Sequence, residues 1–460
     1  MHSKTGRKIP LRAVLGPSLP VAIFLFCAGF NYAYVNWVSP TWSYMGLAYN
    51  PPDAGLMIIG YSLALLVCVM SPRKVRRPSQ AIYWFCFLVV YVPGLFIPLY
   101  LQLENSFSLL LLQLSLAGGT LLIALSYKIP RFAIRSYPLD RRLFWMIFLA
   151  AYIAGNAALI YTFQGMFHFA TLSDVYSVRT PAKHILAANP AIGYASQLLA
   201  IVMNPLLMGV GLVCRRRSLF VLGVMGELLL YSTAAIKIEM VAPIVVIVFF
   251  YTLKKDRGGW VPMMAMLFAG MFFVLTTLAS GLQPGPLFNI ATVLLVRTFT
   301  IPGSEMGEYQ HFFSNMPHTY LGNVTGVNLI MPNPYQLSIG EEVSSFYGIT
   351  GKYGLANANA SFFAMDGIGG FGLGGVVLMG VLCALVFWIL DSCARDYELK
   401  FSVPVLSMVI MSLTNVSLFT TLLGNGLIMW MILFIVMPRD LRIERNARPF
   451  NAPRSNRNAL

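Results

Sequence analysis

Charge is what this chain lacks. Only 11% of its 460 residues are Asp, Glu, Lys or Arg, against about a quarter in soluble domains. A deficit of that size, spread over the whole length, excludes a water-soluble globular fold. Acidic residues are the scarcer kind, 17 against 32 basic. Cysteine is sparse as well. Cys27, Cys68, Cys86, Cys214, Cys383 and Cys393 all lie within apolar runs or beside basic clusters, so no disulfide framework is expected. Also missing are a P-loop, a dinucleotide-binding glycine pattern, H-E-x-x-H, Cys pairs and any D-x-D pair for a metal-dependent sugar-nucleotide enzyme. Glu341-Glu342 comes nearest, and reads as a solvated turn.

What is present is length in apolar runs. Stretches of about 18 to 22 residues recur, enough to cross a hydrocarbon core. They place spans near 18–38, 54–70, 81–101, 107–127, 143–163, 191–213, 218–234, 240–253, 260–280, 371–390, 402–417 and 422–437. The expected fold is an all-α polytopic membrane protein of about 12 transmembrane helices over 1–438, with a basic, disordered tail at 439–460. With both termini cytoplasmic, 27 of the 32 basic residues fall on the cytoplasmic side. They form runs at Lys4–Arg12, Arg73–Arg77, Lys128–Arg142, Arg215–Arg217, Lys254–Arg257, Arg395–Lys400 and Arg439–Arg457. That is the positive-inside pattern. The net charge of +15 is therefore a topology and anionic-lipid signal, and no nucleic-acid partner is expected. The apolar run after Arg12 carries no A-x-A-like site, so no cleaved leader is expected.

Five cations break the sorting: Arg179, Lys183, Lys237, Arg297 and Lys352. Lys183 and Lys352 read equally well as solvated loop charges or as functional groups. Arg179, Lys237 and Arg297 flank apolar segments, where an ionisable group is costly and marks function. Two outer loops are long, 164–190 and 281–370, the second between the ninth and tenth spans. The stretch Pro286 to Arg297 can form a helix too short to cross. It reads as interfacial or re-entrant, broken at Pro302-Gly303, with Arg297 at the depth of a lipid phosphate. The turn Lys237-Ile238-Glu239 makes either a plain salt bridge or one wall of an anion site. Arginine presents a planar fork suited to phosphate. Loop aromatics such as Tyr309, with Asn357 and Asn359, suit sugar rings.

The stretch Val296-Arg297-Thr298-Phe299-Thr300-Ile301-Pro302-Gly303, followed by Tyr309 and Phe312-Phe313, resembles the arginine-bearing loop of bacterial O-antigen and capsule repeat-unit polymerases of the Wzy type. So does Asn357-Ala358-Asn359-Ala360-Ser361-Phe362-Phe363, with Asp366-Gly367 and Phe371-Gly372-Leu373-Gly374-Gly375 after it. Tyr176-Ser177-Val178-Arg179 and the Lys237 hairpin are similar to further positions. The resemblance covers about residues 170–430.

It implies a GT-C-like fold in the bacterial inner membrane, and a metal-independent, cofactor-free glycosyltransferase. The donor would be an undecaprenyl-pyrophosphate-linked glycan, with membrane lipids and a chain-length-regulating membrane protein as further partners. Arg179, Arg297 and Lys237 would hold the pyrophosphate. Tyr176, Tyr309, Asn357, Asn359 and Asp366 would contact sugar or acceptor. The related O-antigen ligases carry a His before the last Gly-rich span entry, where this chain has Asn357 and Asn359, so the base is unassigned. Glu308 and His311, one helical turn apart, are candidates, with Asp174, Asp366 and His318. A ligase delivering the same glycan to lipid A core or protein is the neighbouring alternative. A lipid-linked-sugar flippase is the third.

Overall fold

The computed structural model describes residues 18–169, 175–255, 259–279, 281, 285–351, 354–355, 357–359, 362–438 and 441. Apart from a two-residue antiparallel ladder, Thr350–Gly351 with Gly354–Leu355, the regular structure in this part is helical. Nine helices among the described residues are long and apolar enough to cross a membrane. Eight coincide with expected spans. Ala54–Met70 and Ile238–Leu253 are apolar but shorter, and the expected span at 402–417 is split into Leu399–Val405 and Ser407–Leu413.

The bundle has two chemically different ends. At one, Arg77 donates to the carbonyls of Tyr127 and Ile129, Trp388 donates to Pro130 O, and Asp391 accepts from Ser79. This end gathers the basic segments at 73–77, 128–142 and 395–400. At the other, Asn50 donates to Tyr100 O and Leu101 O, and Gln102 donates to Pro51 O.

Four π-helical segments share one cause. Tyr34–Val38, Phe87–Tyr91, Leu199–Met203 and Thr292–Thr300 each end two residues before a proline: Pro40, Pro93, Pro205 and Pro302. In each case the residue just before the proline donates its N–H five residues back, as Ile301 does to Val296 O. A proline ring collides with the carbonyl four residues earlier and brings no donor. The wider turn moves that carbonyl aside and absorbs the missing bond.

This corrects the expected break at Pro302-Gly303. The helix runs on through both residues, as Pro286–Asn315. Its course is nonetheless re-entrant. At its start Phe288 packs on Trp37 and Trp42. Phe299 then packs on Phe26, Phe268 and Phe272, about 16 Å deeper along the first helix at 1.5 Å per residue. At its finish Gln310 donates to Ser108 O and His311 meets Glu104, back at the end of Asn50 and Gln102. Both termini thus lie at the same end of the bundle.

A second reversal follows. Within Phe362–Cys393 the helical dihedrals fail at Phe371 and at Gly372 (φ 69°, ψ −157°), a left-handed position suited to glycine. The chain folds back tightly enough that a Cβ on Gly367 would collide with the backbone of Val376. Residues 362–370 are therefore a half-helix, and 373–393 is the crossing segment. It packs on Ser106–Ser126 through Gly380 and Gly119, where a Cβ on Gly380 would meet the Gly119 backbone at 2.5 Å. Small residues let membrane helices approach this closely. Gly119→Leu is expected to cost about 1–3 kcal/mol by overpacking, read as a lower thermal midpoint in detergent. Gly270→Ala, where an added Cβ meets nothing within 4 Å, should leave the midpoint unchanged.

Candidate functional site

The residues singled out from sequence fall into three groups at the end of the bundle away from the basic segments. The first surrounds the hairpin between Arg217–Ala234 and Lys237–Lys255. The helix Val175–Ala188 lies over its tip, with Val178 against Ala235. Arg179 is exposed and close enough to act electrostatically on Glu239. Glu239 itself is 4% exposed, and its Oε2 has no hydrogen-bond partner. It lines a cavity of about 20 Å³ with Ser196, Gln197, Thr233 and Leu186. The side chains of Tyr176 and Lys237, and the whole of Asp174 and Lys352, lie outside the described residues.

The second group is built on the rising half of the re-entrant helix. Tyr309 is fully buried and donates to Ala358 O at 2.8 Å. Tyr347 donates to the carbonyl of Glu308, whose residue is 9% exposed. Asn359 Nδ2 donates to Asn357 Oδ1 at 2.6 Å, and both asparagines fold over Gly340 at the start of Ile339–Phe346. Two candidates have other work. The Asp366 carboxylate accepts from Leu418 N at 2.8 Å and so caps the short helix Leu418–Leu423; it is buried within the protein. His311 Nδ1 lies 3.0 Å from Glu104 Oε1, which ties the helix to the 102–105 loop. Glu308 and His311 are one turn apart as expected, yet His311 pairs with Glu104. His318 stacks on Phe313.

Arg297 forms the third group alone. It is exposed, in line with exposed Ile290 and Val293 on the helix face. It lies two residues before Phe299, so it is nearer the bottom of the dip than the surface depth expected. No recorded contact among the described residues joins it to Arg179.

The two long loops meet. Lys183 Nζ lies 3.4 Å from Glu341 Oε1, although Glu341 reads from sequence as a solvated turn. The Ser338 hydroxyl donates to Glu341 and, with Lys183, holds that carboxyl below its ordinary range. Its stabilising share is present above the unfolded carboxyl pKa and is lost as pH falls through the lowered one. The pair is largely exposed and therefore weak. Its value is as a marker of loop contact.

Sequence reasoning missed one polar centre. Glu227, 0% exposed, sits inside the apolar helix Arg217–Ala234 and faces Asn204 and Glu239. Neither Glu227 oxygen nor either polar atom of Asn204 completes a hydrogen bond. Tyr152 OH and Asn204 crowd the same glycine, Gly226. The signal was available, since a lone acid within an apolar run is a functional marker by default. Among the described residues, no three His, Cys, Asp or Glu side chains gather as a metal site would need.

No family model, curated protein or solved structure matches this chain.

The loop contact is directly testable. Zero-length carbodiimide coupling of the folded protein should yield a Lys183–Glu341 cross-linked peptide by mass spectrometry, and none after denaturation. A native sample without that peptide would contradict the contact.

Proposed function

We propose that this multi-pass protein is an inner-membrane polymerase that joins undecaprenyl-pyrophosphate-linked oligosaccharide repeat units on the periplasmic side. The observation that carries the reading is the placement of Arg297. A permanently charged guanidinium sits exposed on an apolar face, on a helix that enters and leaves at the end opposite the basic segments. Charge sorting gives no reason for a cation there, and a lipid-linked phosphate supplies one. Arg179, exposed at the same end on the other loop, provides a second grip.

In this mechanism the acceptor hydroxyl attacks the anomeric carbon of the donor as the bond to the pyrophosphate oxygen breaks. Negative charge grows on the departing lipid pyrophosphate. Fixed guanidinium groups stabilise that charge more in the transition state than in the ground state. Asn357 and Asn359, the more exposed of the sugar candidates, offer amide groups that suit sugar hydroxyls, while buried Tyr309 holds their segment against the rising half of the helix through Ala358 O. With His311 paired to Glu104 and Asp366 capping a helix, neither is the first choice for a base.

A transport reading gains one specific observation, the buried Glu227 and Asn204 beside interrupted helices, since transporters place polar groups near mid-membrane. Loss of the gene separates the readings. A surface glycan capped by single repeat units is expected for the polymerase. Complete loss of glycan transfer would indicate the ligase, and repeat units trapped on the inner leaflet would indicate a transporter. Arg297→Ala and Arg179→Ala should each slow chain growth at least about tenfold, a floor set below the roughly 100-fold or more lost with one preorganised donor. Wild-type modal chain length in both variants would refute the pyrophosphate role.

A further inference from the structure

We propose that the end bearing the basic segments holds a specific site for the phosphate of an anionic phospholipid, built by Arg131 with Arg77 and Arg395 beside it. Its frame is the segment 129–139, which crosses this end of the bundle as a strap. Arg77 Nη2 donates to Tyr127 O at 3.1 Å and to Ile129 O at 3.0 Å. Trp388 Nε1 donates to Pro130 O at 2.9 Å. Further along, Tyr137 N and Leu139 N donate to Ile435 O and Val436 O, at the end of the Leu418–Val436 helix. Arg131 follows the first two pins directly, so its backbone is held where the strap begins.

This place differs from ordinary sorted charge. Arg73, Lys74 and Arg76 are exposed, as cations that only set topology can be. Arg77 and Arg131 are half-buried. Burial first, and then the charges of Arg77 and Arg395, hold the Arg131 guanidinium below its ordinary range despite Asp391 and Asp396. Like charges gathered in a partly buried place repel. Among the described residues no ion pair joins Arg77, Arg131 or Arg395 to an acid. Asp391 accepts from the Ser79 N–H and hydroxyl instead, and Arg77 Nη1 has no acceptor among the described residues. The cluster therefore has positive charge in excess, and a phosphate fits the guanidinium fork.

The apolar neighbours select the source of that phosphate. Ile129 and Phe132, on either side of Arg131, are 51% and 38% exposed. Phe132 packs on Trp388 with ring centroids 4.5 Å apart. Amphipathic rings beside cations belong at the lipid–water boundary. A free phosphate ion gains nothing from Ile129 and Phe132, whereas a phospholipid sets its acyl chains against them while its phosphate meets Arg131. A zwitterionic headgroup would bring a second cation into a cluster already too positive, so the anionic lipid is preferred. Bound there, it bridges the ends of Pro78–Leu101, Ser106–Ser126 and the crossing segment 373–393, and so should stabilise the bundle. The site lies at the opposite end from Arg179 and Arg297, and lipid binding can be scored apart from turnover.

The test titrates the full-length protein in neutral detergent with phosphatidylglycerol, with phosphatidylcholine of the same acyl chains, and with inorganic phosphate. Native mass spectrometry reads the first lipid bound, and thermal unfolding reads the midpoint. Phosphatidylglycerol should bind first and raise the midpoint, and neither of the other two should match it. A single cation near a membrane surface accounts for about fivefold in binding, and a charged hydrogen-bond partner for about tenfold or more. Arg131→Gln should therefore weaken the first phosphatidylglycerol at least about tenfold, and Arg73→Gln no more than about fivefold. Arg395→Gln, at an exposed position that folding tolerates, should also weaken it more than Arg73→Gln does. Equal losses in all three variants would show diffuse charge and overturn the site. Equal binding of phosphatidylcholine would overturn the anionic preference. Inorganic phosphate that raised the midpoint as far as the lipid does would assign the cluster to a free ion and overturn the lipid.

Discussion

Hydrocarbon offers neither a hydrogen-bond partner to the backbone nor solvation to a charge, and most of this architecture follows from that pair of refusals. Each peptide group within the bundle must be satisfied by its own helix, so a proline inside an apolar helix poses a local problem. Four times the chain meets it in the same way, with a π-turn ending two residues before the ring. Those turns also widen and redirect the helices. The largest, Thr292–Thr300, lies where the Pro286–Asn315 helix passes from its descending to its rising half, and it carries Arg297.

The same refusals govern the polar groups. Basic residues collect at one end, where water and anionic headgroups receive them. Polar groups left within the bundle are mostly engaged: Asp391 with Ser79, Asn31 with Tyr61 and Tyr100, Asp366 with the backbone of Leu418. Against that background the exceptions stand out. Glu227, Asn204 and one oxygen of Glu239 make no well-formed hydrogen bond, and neither do single atoms of Gln113, Thr276, Gln310 and Ser407; Glu227 is set apart from these by being a carboxyl within an apolar helix.

Much of the scaffold was legible in one dimension because lipid imposes a length and a charge rule that act residue by residue. Apolar runs located eight of the nine long helices among the described residues, and the length of the stretches between them set apart two loops. The misreadings have physical causes. Pro302-Gly303 looked like a stop because the rule for a single proline does not foresee a preceding π-turn. The clue lay in the repetition of the same arrangement at Pro40, Pro93 and Pro205. The His311–Glu104 and Lys183–Glu341 pairs join residues 207 and 158 positions apart, a distance over which a single sequence carries no pairing information. The partner of Asp366, Leu418, comes from a different helix, 52 positions along the chain.

The account stands on one assignment, that the end bearing the two long loops faces away from the cytoplasm. Single cysteines at Leu329 and Ser338, in a chain stripped of its six native thiols, would report it through a membrane-impermeant maleimide applied to intact spheroplasts. Both sites should label at once, with no gain when the membrane is opened. Labelling that occurs only after permeabilisation would put the arginines on the cytoplasmic side and contradict the proposed chemistry.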